Sequence, residues 1–75
     1  MKHDIPKQVK NSDLQYCISE YVRYRVHQDM LRDHWFNNMS LQSIAEKYHY
    51  SLTTTKDIVY GIGDDIIKMA LEMRG

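Results

Sequence analysis

Between Asn37 and Thr55 the chain stops helix formation twice and restarts it twice. This punctuation restricts the fold more than any other feature. Asn37-Asn38 is a stop, because asparagine tolerates the left-handed backbone that ends helices. Ser40 follows as an N-cap, a residue type whose hydroxyl accepts an orphan N–H of the next turn. Leu41, Ile44, Ala45 and Tyr48 then fall at i, i+3, i+4 and i+7, one face of a two-turn helix. His49-Tyr50 reads as a tight turn, and Ser51 caps again. A long helix is expected from about Leu52 to about Met73, with Thr55, Val59, Ile62, Ile66, Met69 and Met73 as its core stripe. The expectation is a short helix, a three-residue turn and a long helix.

Upstream, residues 1–11 are polar, contain Pro6, and read as a loose tail. Ser12-Asp13-Leu14-Gln15 fits a capping box, and Leu14, Ile18, Tyr21 and Val22 follow at helical spacing. Between Tyr24 and Gln28 there is no glycine, proline or cap, so that helix either ends there or runs on. Met30, Leu31, Trp35 and Phe36 form a second apolar set. The fold class expected is all-α: a three- to four-helix bundle over residues 12–75, containing a helix-turn-helix and no wing. Leu31, Trp35, Ile44, Ala45, Val59 and Ile62 are the expected central cluster.

Two features of the long helix stand out. Gly61 and Gly63 each cost about 1 kcal/mol relative to alanine. A second apolar stripe, Gly63, Ile67 and Leu71, lies beside the first, so it must pack on the first helix or on another chain. A homodimer is one outcome.

Charge and size limit function. The chain has 75 residues, room for one domain with a thin core. Ten Lys and Arg balance ten Asp and Glu, whereas a strong DNA binder carries a basic excess. The single cysteine, Cys17, makes an internal disulfide impossible and reads as a small buried hydrophobe. His3, His27, His34 and His49 have no ligand spacing, so no metal site is expected and no cofactor is implied. Adjacent Asp64 and Asp65 point in different directions on a helix and read as solvated surface. Trp35 and Phe36 read as core anchors. No nucleophile–base arrangement or phosphate loop is present, so enzyme activity is not expected. No apolar run of the ~20 residues that span a membrane occurs and no signal peptide follows Met1, so the expected location is cytoplasmic, with no membrane partner.

The block from Leu41 to Val59 has the order of a helix-turn-helix, in which the second helix enters the major groove and the first braces it. On that reading Thr53, Thr54, Lys56, Asp57 and Tyr60 face away from the core stripe and form the reading edge. Gln42, Ser43 and Lys47 are candidate phosphate contacts, and Ser51 offers a capped, positive helix end. The same serines also serve as plain caps, and the threonines as solvated surface, in an ordinary helical hairpin. Spacing alone does not separate the two.

The run Trp35-Phe36-Asn37-Asn38-Met39-Ser40-Leu41-Gln42-Ser43-Ile44-Ala45-Glu46-Lys47-Tyr48, followed by Ser51-Leu52-Thr53-Thr54-Thr55-Lys56, resembles region four, the C-terminal promoter-binding domain of bacterial sigma factors. It is also similar to small phage-encoded helix-turn-helix proteins. The likeness spans roughly residues 18–70. It implies a recognition helix that begins with Ser51, Thr53, Thr54, Lys56 and Asp57, double-stranded DNA as partner, and contact with RNA polymerase. It further implies a phage or prophage origin and a role in transcription regulation. The chain departs from the family in having Thr55 where valine is usual, and in lacking basic residues around Ile58 and Gly61. Its 75 residues leave no room for the domain with which sigma factors melt promoters. The alternative function is a protein-interaction module of the same fold that binds RNA polymerase or another regulator without reading DNA.

Overall fold

The computed structural model describes residues 9–74, as four α-helices with no strand among them. They are α1 (Asn11–Tyr21), α2 (Arg25–Trp35), α3 (Leu41–Tyr48) and α4 (Leu52–Arg74). At 1.5 Å per residue the 23 residues of α4 run about 34 Å, close to the longest extent of 36 Å. α4 is therefore the spine of an all-α bundle. α1, α2 and α3 each pack on it, and α2 also touches α1 and α3.

α1 begins at Asn11, one residue before the proposed Ser12 cap. Only one arm of a box is present, and it is shifted to Lys10: the Lys10 N–H donates to Asp13 Oδ2 at 3.3 Å, while the lysine side chain has no acceptor for the return bond. Ser12 instead lies inside the first turn. Val9, at the end of the expected tail, is buried in the core, and residues 1–8 of that tail lie outside the described residues. The open question between α1 and α2 is settled by a break. Val22 and Tyr24 adopt extended backbone, and Gln28 Nε2, one turn into α2, donates to the Val22 carbonyl at 2.9 Å. A glutamine on the following helix thus supplies a partner for the carbonyl at the α1 C-cap, which explains a helix end without a local stop signal.

The remaining punctuation is as expected. Asn38 takes φ 55° after α2. Ser40 Oγ accepts from the Ser43 N–H at 3.1 Å, and Ser51 Oγ accepts from the Thr54 N–H at 3.1 Å. His49 takes φ 62°, and the Tyr50 N–H donates to the Ala45 carbonyl at 2.9 Å, closing α3.

The core contains Leu14, Cys17, Ile18, Met30, Leu31, Ile44, Val59, Ile66 and Ala70, all nearly inaccessible. Cys17 is a buried free thiol, as expected, and burial first, then nearby Asp13, pushes its pKa up. The expected central cluster is correct for Leu31, Ile44, Ala45 and Val59, whereas Trp35 and Ile62 are only half-buried at its rim. Tyr21, assigned to the apolar face of α1, is 56% exposed, and Met73, assigned to the α4 stripe, is 51% exposed. The buried line of α4 is Thr55, Val59, Gly63, Ile66 and Ala70. It takes Gly63 from the expected second stripe, and Ile67 and Leu71 lie half-buried against the same core. Packing of three helices on one widens the buried arc of α4, so both apolar stripes contribute to the interior of one protomer.

The two helical glycines differ. Gly63 is buried, while Gly61 is exposed and a Cβ built there meets nothing within 4 Å. Gly61→Ala should therefore stabilise the fold by about 1 kcal/mol through helix propensity alone. Urea unfolding measures this; a loss of stability would contradict the open placement of Gly61. Ile44→Ala should cost about 2–5 kcal/mol, and half-buried Trp35→Ala less than a fully buried tryptophan would.

Candidate nucleic-acid interface

α3, the turn at His49-Tyr50 and the start of α4 form the expected helix–turn–helix, with α3 buried on α2 and α4 through Leu41, Ile44 and Ala45. Thr55 is fully buried, and its hydroxyl donates to the Ser51 carbonyl one turn back at 2.9 Å. This explains how threonine occupies a position suited to valine: the shapes match, and the one polar hydrogen is satisfied locally. Thr53, Thr54, Lys56 and Asp57 are exposed around it.

The proposed contact residues do not form one uniform surface. Gln42, Ser43 and Ser51 are exposed and engaged locally. Gln42 Nε2 reaches Glu46 Oε1 at 3.4 Å, and Ser51 Oγ donates to Thr54 Oγ1 at 2.9 Å. Tyr60 departs from expectation: it is half-buried, with its ring edge-on to His34 at 6.2 Å, because α2 passes beside that flank of α4. Gln42 and Lys56 come together. They line an open groove of about 400 Å³ between the α2–α3 loop and the first turn of α4, with Met39, Leu41 and Leu52 as its apolar wall. Leu52 and Met39 were not foreseen as site residues. Their signal, an apolar residue at each helix entry, reads equally well as a staple.

Lys47 is exposed but already has a partner within the fold. Its ammonium lies 2.9 Å from Asp33 Oδ2 on α2, in an ion pair rather than free for phosphate. Asp33 is buried, and it also accepts from Tyr48 Oη at 2.5 Å and from Asn37 Nδ2 at 2.8 Å. Burial alone pushes its carboxyl up. The hydrogen bonds from Lys47, Tyr48 and Asn37 together outweigh that, and its pKa lies below the usual value. The same bond to Asp33 raises the pKa of Lys47. Tyr48 is raised by burial and by its bond to Asp33. Arg32, the other nearby cation, is held by Gln15, Ser19, Gln28 and Asp29. Lys56 forms no ion pair among the described residues.

Past its first two turns α4 carries Asp64, Asp65 and Glu72 against Lys68 and Arg74, a net charge of −1. The helix start, with the positive end of the dipole and Lys56, is the part of α4 best suited to an anion. Among the described residues no helix is long and apolar enough to cross a membrane.

No family model, curated protein or solved structure matches this chain. The likeness to sigma region four is a resemblance of sequence, with its motif in the run from Trp35 to Lys56.

The Asp33 hub has a testable pH signature. Its folded pKa is depressed, so its stabilisation is present above the unfolded value of about 3.9 and is lost as pH falls through the lower folded value. Lys47 is raised, so its share persists until pH passes about 10.4. Asp33→Asn should cost about 1–3 kcal/mol at pH 7. The gap between variant and wild type should narrow below about pH 4. Urea melts at several pH values read this directly, and a gap independent of pH would remove the carboxylate from the account.

Proposed function

We propose that the chain binds double-stranded DNA as a transcription regulator of sigma-region-four-like type, through the first two turns of α4. The observation that carries this reading is the start of that helix. Ser51 caps it, α3 braces it, and Thr53, Thr54, Lys56 and Asp57 stand clear of the core. Threonine bonds base edges or meets a thymine methyl, and lysine reaches guanine or phosphate. The adjacent Gln42, exposed at the start of α3 and lining the same groove as Lys56, is the candidate phosphate contact. A phage or prophage origin follows only from the resemblance.

The electrostatics make this a weak binder. With Lys47 held by Asp33 and Arg32 held by its own network, Lys56 is the principal cation at the helix start. The slope of log K against log salt should be about −1 to −2 per protomer, one to two phosphates neutralised. Fluorescence polarisation with duplex DNA across a salt series gives the slope. Lys56→Ala should flatten it by about 1, and Thr54→Ala should change sequence preference.

A second reading is favoured by the same charges: a protein-interaction module that docks on RNA polymerase or another regulator without reading DNA. The groove beside Leu41 and Leu52, with Leu52 38% exposed, is apolar enough to receive a side chain. Absence of duplex binding at low salt, together with retention of core RNA polymerase on the immobilised chain, would favour this reading over DNA.

A further inference from the structure

We propose that two copies of this chain form a two-fold symmetric dimer through the groove between the α1–α2 corner and the middle of α4. This groove, of about 320 Å³, is separate from the helix-turn-helix face. Its floor is apolar: Val22, Ile62, Ile66 and Met69. Tyr21 and Tyr24 form its rim, 56% and 61% exposed. Single exposed apolar residues are ordinary. Two tyrosines at the lip of one apolar groove are a different matter, because a tyrosine ring is a large, stiff anchor that fits such a pocket at low entropic cost.

The charges around the groove select the occupant. Arg23 lines one wall and Asp65 another, and neither is in an ion pair among the described residues. In a two-fold interface every contact occurs twice, residue i on one copy against j on the other and the reverse. A surface with one unpaired cation and one unpaired anion beside an apolar floor is complementary to its own rotated image: Arg23 of each copy meets Asp65 of the other, while Tyr21 or Tyr24 enters the opposing groove. A uniformly acidic or basic partner meets like charge on one wall. On α4 the groove begins at Ile62, past Asp57, so dimerisation leaves Thr53, Thr54, Lys56 and Asp57 uncovered. The dimer stands or falls independently of DNA binding.

Sedimentation velocity of the full chain, from about 5 μM to about 500 μM, should show a monomer–dimer equilibrium. Arg23→Asp alone sets a new carboxylate against Asp65 at both symmetric contacts. Asp65→Arg alone sets a new guanidinium against Arg23 at both. Each should weaken the dimer at least about tenfold, since two attractive contacts become two repulsive ones. In an equimolar mixture of the two variants, a heterodimer has one contact between two introduced charges of opposite sign and one between the native Arg23 and Asp65. Opposite charges therefore meet at both contacts, and association should be restored. Both substitutions are on exposed residues, and unchanged helical circular dichroism verifies folding. Tyr24→Ser should weaken the dimer of the wild-type background by a similar factor. A wild type that stays monomeric over the whole range overturns the proposal. So does a dimer that neither single variant weakens, or a mixture that associates no better than its components.

Discussion

Burial of one line of α4 under three short helices is the constraint on which the rest of this structure depends. Helices of 8–11 residues, the lengths of α1, α2 and α3, are marginal in water by themselves, because nucleation is costly and few bonds follow it. They persist because Leu14, Ile18, Met30, Leu31 and Ile44 reach a common interior against Val59, Ile66 and Ala70. Small residues on the spine allow this: Thr55, Gly63 and Ala70 all lie on its buried line. The recognition-like start of α4 is therefore not a free-standing helix end. It is the exposed end of the element that every other helix holds.

Asp33 links this packing to the surface chemistry. One buried carboxylate gathers Lys47, Tyr48 and Asn37, and so ties α2, its terminating loop and α3 into one unit. A buried charge needs its partners, since removing one leaves an uncompensated group. The same contacts give Lys47, whose side chain stays 50% exposed, an anionic partner. The link between α2 and α3 and the pairing of Lys47 thus have one cause.

Much of the site was legible in particular residues. Ser40 and Ser51 cap where their types and positions said they would, because capping is a bond between residues three apart and needs no tertiary partner. Asn38 and His49 occupy the left-handed backbone at the two helix ends for the same local reason. Exposure of Thr53, Thr54, Lys56 and Asp57 followed from helical period. Tyr60 did not follow: its angular position suggested solvent, but α2 brings His34 against it. Nor did Lys47, whose partner lies fourteen positions upstream on another helix. The break after Tyr21 was equally hidden, since the partner of the Val22 carbonyl is a glutamine on α2.

The sequence by itself determined the number of helical starts and stops around the turn, the caps at Ser40 and Ser51, the long final helix and the apolar face of α3. These are set by bonds and periodicities within one or two turns of chain. Only the tertiary structure decided which flank of α4 is interior, that Trp35, Ile62 and Tyr21 lie at the edge of the core, and which cations are paired. The physical reason is that burial and ion pairing depend on where separate helices cross. That geometry is fixed by side-chain packing among all four, not by any segment alone.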